Sequence, residues 1–522
     1  MSDSVPLLSS SSVTSRRRCS SCPSFYRFQF IHSKGALLVL FWDLMISISQ
    51  NLVILCTDTS FYFLILLGFC LIYFIAGYLG DFLISRYKLV LVGSYITFIL
   101  LIPLIIIFML LPSYNYLLSI LCALSLVTFA VVRVNLLPFN IDQLIGSSSS
   151  ELTAVLHWHN IGPIVVIVTV TLWSNITTLH LLLAAIVCVS AVLVSHSLFN
   201  GYLDTTPVNT VNPVKLIVRV LCYTRKHKYP ENRSALTYWE EEAPSRLDLG
   251  KDKYGGPFTE EEVEDVKTLF RLIPLVVVCA VASGLCKEYT EGLASQVYGC
   301  NDPENIDFSF SIAYVSIIFF HQFLVYPCFH KYIPSMLKRI GMGLVLIVLL
   351  NILYTGLAFI GNYHFGQTFR CFTLYDDKNL SITTHEWIII NITDASLWYM
   401  YNVVLVEFIL AQCPKSMRGT MIGLLLFFWG LRIFVDFALF LPFLHFLHPK
   451  ESLGRGFYFL LAKTIMSLII LLIYIFLAKR YKLRVREVEI NIHQIAENFA
   501  IKNIEQEEKH TKRDSQLDFS IQ

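Results

Sequence analysis

Residues 132 to 143 read VRVNLLPFNIDQ and place a charged side chain, Arg133, at the end of an otherwise apolar segment that begins at Tyr116. An arginine at membrane depth costs a few kcal/mol or more, so it usually faces the interior of a helix bundle or a watery cavity. Arg133 is therefore a candidate binding residue. The alternative is that it snorkels from a helix end to the lipid headgroups, and charge placement alone does not decide between the two.

The composition indicates a polytopic membrane protein in a lipid bilayer. Of the 522 residues, 55% are hydrophobic and 15% charged, whereas soluble globular proteins are ~45 to 50% apolar. The net charge of +2 argues against nucleic acid as a partner. The 13 cysteines do not recur at a metal-type spacing. No nucleophile, base and orienting group are spaced as a recognisable set, so neither a metal site nor an enzyme is predicted.

Apolar runs of about the ~20 residues that a bilayer requires recur along the chain in two groups of six. They lie near 35–55, 61–80, 89–112, 116–136, 158–174 and 178–198, and near 270–288, 308–328, 340–361, 395–413, 418–440 and 456–478. This predicts an all-α protein of about twelve transmembrane helices in two six-helix bundles, as in many secondary transporters. We divide the chain into a disordered cytosolic N-terminal tail (1–33), an N-terminal bundle (34–200), a cytosolic linker with an amphipathic helix (201–267), a C-terminal bundle (268–480) and a cytosolic C-terminal tail (481–522).

Two independent signals predict the same topology. Basic residues recur on one side of the alternating helices, which the positive-inside rule makes cytosolic; they are Arg16, Arg17, Arg18, Arg86, Lys88, Lys331, Lys338, Arg339, Lys479, Arg480 and Lys482. The opposite loops carry glycosylation sequons at Asn175, Asn379 and Asn391. Cys300 and Cys371 fall in the two long loops of that second side, where a disulfide between them is allowed.

The N-terminal tail contains DSVPLL, in which Asp3, Leu7 and Leu8 match the acidic dileucine pattern that clathrin-adaptor sorting machinery reads. Such a short pattern also occurs by chance. Near a cytosolic terminus of a membrane protein it predicts an endosomal or lysosomal address, with the plasma membrane as the alternative location. In the linker, Thr259 and Glu262 form a capping-box pattern that predicts the start of an acidic amphipathic helix running into the seventh span.

VRVNLLPFNIDQ resembles the fourth-helix signature of the proton-coupled oligopeptide transporters, solute carrier family 15. It is most similar to the form found in the endolysosomal peptide/histidine transporters, and the matching positions are Val132, Arg133, Asn135, Pro138, Phe139, Asp142 and Gln143. The linker segments RSALTYWE and KDKYGGPFTEEEVEDVK also resemble that branch. The resemblance implies that Arg133 contacts a peptide carboxylate in a central cavity and takes part in proton coupling.

EFILAQCPKSMRG, which contains Glu407, resembles the tenth-helix motif of the same family, where a glutamate receives the peptide's amino terminus. Arg133 and Glu407 would then hold opposite ends of a zwitterion. The alternative is that Glu407 is neutral or paired with another helix. Asn160 belongs to a family-like Asn-Ile-Gly segment and is predicted to contact substrate.

GYLGDFLISRYK, residues 77 to 88, resembles the loop that major-facilitator proteins carry between helices two and three. Gly77, Asp81 and Arg86 match its spacing, while Ser85 replaces the usual glycine before the arginine. The resemblance implies that these residues gate one side of the carrier during alternating access. The alternative is an ordinary charged turn.

Helix one departs from the family. The Glu-x-x-Glu-Arg signature of proton coupling falls on Leu38, Phe41 and Trp42, so all three charges are missing. Asp43 lies about 200° around the helix from Phe41, on another face. His157 and His159 follow at the predicted start of helix five; they fit either solvated side chains or a pH sensor, since histidine titrates in the endosomal range.

The sequence therefore predicts a major-facilitator carrier of the peptide/histidine transporter branch that moves histidine or small peptides toward the cytosol from endosomes or lysosomes. The proton is the expected coupling ion, and no other cofactor is expected. Because the first-helix charges are missing, two alternatives stay open. One is a transport-deficient, carrier-shaped scaffold for a cytosolic signalling adaptor, and the other is an uncoupled peptide or amino-acid uniporter.

Overall fold

The architecture is that of a computed structural model of the chain. The structure describes residues 31, 33–56, 59–110, 115–144, 149–161, 165, 177–205, 213–227, 245–285, 308–329, 332–359, 392–393, 395–443 and 457–483. Several predicted features lie outside these residues: the sorting residues Asp3, Leu7 and Leu8, the sequons at Asn175, Asn379 and Asn391, and the cysteines Cys300 and Cys371.

The N-terminal half is helical throughout the described residues. Its helices are α1 (Lys34–Leu55), α2 (Thr59–Phe82), α3 (Arg86–Leu110), α4 (Asn115–Asp142), α5 (Ser149–Trp158) and α6 (Thr178–Phe199). A 3-10 turn, Asn200–Tyr202, ends α6. In the predicted linker, α7 (Pro213–Lys226) is followed by the 3-10 turns Arg246–Gly250 and Asp252–Tyr254.

The C-terminal half contains α8 (Glu260–Gly284), α9 (Phe308–Phe320), α10 (Met336–Phe359), α11 (Val404–Gln412), α12 (Arg418–Phe440) and α13 (Phe457–Arg480). A π-helical segment, His321–Val325, and a short turn, Tyr326–Phe329, continue α9, and a second π-helical segment, Tyr399–Val403, leads into α11. A 3-10 turn, Lys415–Met417, joins α11 to α12.

Eight helices of the described residues are long and apolar enough to cross a bilayer. Two shorter apolar helices, Cys70–Phe82 and Ile312–Val325, overlap two further predicted spans. The chain is therefore an integral, multi-pass membrane protein. The division into five domains stays a prediction.

A helix precedes the predicted fifth span. It is α5, Ser149–Trp158 with the sequence SSELTAVLHW, and it ends where the apolar run near residue 158 begins. His157, in its last turn, and His159, just after it, are both buried. The interpretation of these histidines as solvated side chains is wrong.

The seventh span and the amphipathic helix of the linker form one continuous helix, as predicted. Thr259 caps α8: its hydroxyl accepts a hydrogen bond from the Glu262 backbone nitrogen, and the Glu262 carboxylate accepts one from the Thr259 backbone nitrogen at 2.9 Å. The capping-box prediction is confirmed. Before it, the chain turns at Gly255, whose φ of 82° lies in the left-handed region that favours glycine.

Ion pairs connect the linker to the N-terminal part of α8. Lys267 of α8 donates to the Asp248 carboxylate, and Lys251 donates to Glu264 Oε1 at 2.8 Å. Burial alone raises the pKa of Asp248, but hydrogen bonds from Lys267, Ser245 and Lys251 hold that pKa well below its ordinary value. The linker between residues 245 and 267 is thus fixed to a helix that continues into the membrane region.

Two apolar cores hold the bundles. The first includes Trp42, Leu101 and Phe129 of the N-terminal half. The second is centred on Tyr354, Phe408 and Phe459 of the C-terminal half and also takes in a few N-terminal residues, which joins the halves.

The halves approach most closely between α2 and α12. A Cβ atom on Gly77 would collide with the Gly419 carbonyl oxygen, and one on Gly423 would lie 2.5 Å from the Tyr73 carbonyl oxygen. Small residues allow such close backbone contact between membrane helices. Gly77 is therefore required by packing between the halves.

Candidate functional site

Arg133 lies in α4, half-buried, with its guanidinium directed at α1. Its Nη1 donates to Gln50 Oε1 at 3.1 Å, and Gln50 is itself buried. Among the described residues, no carboxylate pairs with Arg133. A cation at membrane depth that is held by a neutral amide keeps its charge available for an anionic ligand.

Glu407 lies in α11 of the opposite half and is paired. Its Oε2 lies 3.2 Å from Nη2 of Arg339, and both side chains are nearly buried. Arg339 was predicted as a loop charge on the cytosolic side, but it lies in the first turn of α10 and is buried. In this conformation the alternative interpretation of Glu407, pairing with another helix, describes its contacts.

Asn160 follows α5 and turns back onto it. Its Nδ2 donates to the Leu156 carbonyl oxygen at 2.8 Å. The amide nitrogen is therefore used within its own helical turn, and a substrate contact by Asn160 stays a prediction.

Asp81 and Arg86 connect the two halves at the end of the bundle that the topology prediction assigns to the cytosol. Arg86 donates from Nε to Asp81 Oδ1 at 2.9 Å, from Nη1 to Asp142 Oδ2 at 2.6 Å, and from Nη2 to the Lys415 carbonyl oxygen at 3.0 Å. Arg418 adds a longer contact to Asp142 at 3.7 Å. The arginine thus holds three segments together at a buried position.

Asp81 in turn caps α12 of the other half. It accepts hydrogen bonds from the backbone nitrogens of Gly419, at 3.2 Å, and Thr420, at 2.6 Å, and from the Thr420 hydroxyl at 2.8 Å. These nitrogens belong to the first turn of α12, where backbone N–H groups have no partner within the helix. The charge also suits the positive end of the helix dipole. The sequence did not identify this contact, because two of its three donors are backbone N–H groups.

A second polar bridge between the halves lies deeper in the bundle. His157 Nδ1 is 2.8 Å from Gln322 Oε1 and its Nε2 is 2.9 Å from the Tyr399 hydroxyl. The ring of His321 packs at 5.0 Å from that of His157. Gln322, His321 and Tyr399 all belong to the two π-helical segments, which are frequent at functional sites.

Two of the three positions of the missing first-helix charges, Leu38 and Trp42, are occupied by packing residues, whereas the third, Phe41, is exposed. Trp42 is buried and donates from its indole nitrogen to Ser195 Oγ of α6 at 2.9 Å. Leu38 packs against the same core. Asp43 lies on a different face of α1 from Phe41, as predicted, and its Oδ2 is 2.9 Å from His159 Nδ1.

The fold matches solved transporters. The chain superposes on the POT family transporter PepTSo with a TM-score of 0.56 and 14% identity, over 86% of this chain and 99% of the other. An auto-inhibited POT family peptide transporter gives 0.56 and 13%, over 88% and 100%. A bacterial homologue of the iron transporter ferroportin, outward-facing with soaked iron, gives 0.53 and 11%, over 85% and 99%. No family model matches the chain. At these identities the likeness shows the major-facilitator fold.

Proposed function

We propose that this chain is a secondary transporter that carries histidine or di- and tripeptides across an endosomal or lysosomal membrane toward the cytosol, with the proton as coupling ion. The observation that carries the proposal is Arg133, a half-buried cation on α4 that no carboxylate of the described residues pairs with. A substrate carboxylate supplies the missing anion. Two of the solved structures with this fold are described as POT family transporters, one of them as a peptide transporter, which supports the same substrate class.

Glu407 completes the binding of a zwitterion from the other half. Because it is paired with Arg339 in this conformation, the substrate's amino group must displace the guanidinium or bind after the pair has opened. Binding at Arg133 and Glu407 would then link α4 of one half to α11 of the other. Such a link between halves is what alternating access requires.

The contacts of Asp81 with α12, and of Arg86 with the turn before α12, close the predicted cytosolic end. Release of substrate to the cytosol requires these hydrogen bonds to break, so Gly77, Asp81 and Arg86 are proposed as the gate on that side. The uncoupled uniporter remains the second candidate, since Leu38, Phe41 and Trp42 offer no titratable group where the resembling family has three charges.

The test is uptake of labelled histidine and a labelled dipeptide in cells expressing a Leu7→Ala, Leu8→Ala variant, which should bring the protein to the plasma membrane. The outside pH is about 5.5, where histidine-type groups titrate. Arg133→Ala and Glu407→Ala should abolish saturable uptake, whereas Lys338→Ala, which removes an exposed cation, should not. Inhibition by a protonophore separates coupled transport from the uniporter.

Absence of saturable uptake from a surface-exposed protein would contradict transport of these substrates and favour the scaffold for a cytosolic signalling adaptor.

A further inference from the structure

A buried trio of polar side chains joins α1, α4 and the end of α5. Asp43 Oδ2 lies 2.9 Å from His159 Nδ1, and Asn140 Nδ2 lies 2.9 Å from His159 Nε2. The side chains of Asp43 and His159 are 7% and 6% exposed, and Asn140 is fully buried. Buried ionisable groups at membrane depth are costly and mark ion or substrate pathways.

We propose that Asp43, His159 and Asn140 form the proton-binding site of this carrier. The proposal rests on the proposed function, because it names the residues through which a proton would drive transport. It places the proton on the Asp43 face of helix one, away from the helix positions that Phe41 and Trp42 occupy.

Protonation changes the net charge of the buried Asp43/His159 pair. With a neutral imidazole the Asp43/His159 pair carries one negative charge, and with an added proton it becomes an ion pair of zero net charge. An uncompensated charge in a low-dielectric interior is less favourable than a matched pair with good geometry. The site therefore exchanges one proton between a charged and a neutral form, as a carrier of a single proton must.

Asn140 accommodates both forms. When His159 is neutral, its Nδ1–H donates to Asp43 and its Nε2 accepts from the Asn140 amide nitrogen. In this arrangement Asn140 Oδ1 is buried and has no hydrogen-bond partner in the described structure. A protonated imidazole carries a second N–H at Nε2, and rotation of the amide by about 180° offers it Oδ1 as the acceptor. The unpartnered oxygen thus has a partner in the protonated state.

The trio lies on the same helix seam as Arg133. Asp43 and Gln50 are seven residues apart on α1, and Asn140 and Arg133 are seven residues apart on α4. Seven residues are about two turns, or ~10.5 Å, so each helix presents both members on one side. Gln50 accepts the Arg133 hydrogen bond. A change of charge at Asp43/His159 and capture of a carboxylate by Arg133 therefore act on one pair of packed helices.

Other titratable or charged groups on the neighbouring helices have different surroundings. Among the described residues, the side chains that form a hydrogen bond or ion pair with the His159 ring are those of Asp43 and Asn140. The others are Arg133, bonded to Gln50; Asp142, bonded to Arg86; His157, bonded to Gln322 and Tyr399; His196 of α6, bonded to Tyr87; Lys34, over the Tyr202 ring; His180, beside Thr177; and Glu151, half-buried on α5.

The first test measures protons directly and does not depend on transport. Purified protein in nanodiscs is moved from about pH 8 to about pH 5, across the range where histidine titrates, and proton uptake is followed with a soluble pH dye. Wild type should take up one more proton per molecule than the double variant Asp43→Asn, His159→Gln. Equal uptake by the two proteins would overturn the proposal.

The second test separates coupling from binding. Under a proton gradient, Asp43→Asn should lower substrate accumulation by about tenfold or more, a change in the range of typical coupling between sites. Counterflow without a gradient should persist, because substrate binding is intact, and Asp43→Glu should restore part of the accumulation. The matched control is Asp252→Asn, which alters an exposed carboxylate of the linker.

If Asp43→Asn accumulates substrate as wild type does, the proton does not act through this site and the proposal is wrong. If wild type itself takes up no substrate, the proposed function fails instead, and the proton count alone decides whether the trio binds a proton. Loss of both accumulation and counterflow in a folded Asp43→Asn variant would contradict a role confined to the proton.

Discussion

Asp81 of the N-terminal half caps the helix that begins at Arg418 of the C-terminal half, accepting hydrogen bonds from both the backbone nitrogen and the hydroxyl of Thr420, at 2.6 and 2.8 Å. A carboxylate at a helix N-terminus satisfies donors that would otherwise be unpaired and interacts favourably with the helix dipole. This end of the bundle is therefore held together by a helix cap that is supplied from the other half of the molecule.

Asp81→Asn should open this end. The neutral amide accepts more weakly, and hydrogen bonds to charged groups contribute about 1.5–3 kcal/mol each, so amide exchange at Gly419 and Thr420 should accelerate by roughly tenfold or more. Hydrogen exchange of the peptide spanning residues 415–425, with the protein in nanodiscs, measures this. Asp252→Asn is the control, and unchanged exchange in Asp81→Asn would show that the cap does not hold the end closed.

Gly77→Ala should destabilise the contact between α2 and α12, since the added methyl would collide with the Gly419 carbonyl oxygen. Overpacking of this kind costs about 1–3 kcal/mol. The matched control is Gly356→Ala in α10, where a Cβ meets no heavy atom within 4 Å and alanine is the better helix former. Thermal unfolding of the purified variants should rank Gly77→Ala below wild type and Gly356→Ala at or above it. The reverse order would contradict the packing.

The features of the fold that depend on local patterns could be predicted from the sequence. Apolar runs identified the eight spanning helices and the two shorter apolar helices of the described residues. The pairing of Thr259 with Glu262 identified the start of α8, because a capping box involves residues three apart. The spacing of Asp81 and Arg86 in the sequence singled out these two residues. It did not reveal that Asp81 caps the N-terminus of α12, because every residue type except proline has a backbone N–H group and the sequence does not show which one is bonded.

The buried polar contacts were harder to predict, because their partners are distant in the sequence. A buried polar side chain forms hydrogen bonds with partners that are distant in sequence, such as Gln322 and Tyr399 for His157. A hydropathy average over a sequence window does not include those partners, so the polar residue lowers the average and argues against a span. The prediction therefore missed the helix SSELTAVLHW, which ends where the apolar run near residue 158 begins. Arg339 was assigned to a loop in the same way, because its partner Glu407 lies 68 positions further along the chain.

Removing Arg339 alone should destabilise the protein more than replacing Arg339 and Glu407 together. Arg339→Met leaves Glu407 as a buried, uncompensated charge, a change that costs about 3–5 kcal/mol, while replacing both partners is closer to neutral. The double variant Arg339→Met, Glu407→Gln should therefore unfold at a higher temperature than Arg339→Met alone. Lys338→Met, at the exposed neighbouring position, controls for loss of a cation. If the single and double variants unfold together, the two side chains are not coupled.

Arg133 should recognise a substrate by its carboxylate. A dipeptide and its C-terminal amide differ in that group alone, and a charge-assisted hydrogen bond of about 1.5–3 kcal/mol corresponds to roughly 10- to 150-fold in affinity. Equilibrium binding to purified protein should show this preference in wild type and in Lys88→Gln, an exposed control. In Arg133→Gln the two ligands should bind within a few-fold of each other. A preference that survives in Arg133→Gln would assign the carboxylate to another residue.

The linker should resist mild acid. Hydrogen bonds from Lys267, Ser245 and Lys251 hold the pKa of Asp248 below its ordinary value, so the carboxylate stabilises the folded linker at every pH above its unfolded-state pKa of about 3.9. That stabilisation is lost as the pH falls through the lower pKa of the folded state.

Hydrogen exchange of residues 245–267, corrected for the intrinsic effect of pH, should be the same at about pH 7 and pH 5 and should rise below about pH 4. Asp248→Asn should show the raised exchange already at neutral pH, whereas Asp252→Asn should match wild type. Protection that persists in Asp248→Asn would mean that the ion pairs of Lys251 with Glu260 and Glu264 hold the linker without it.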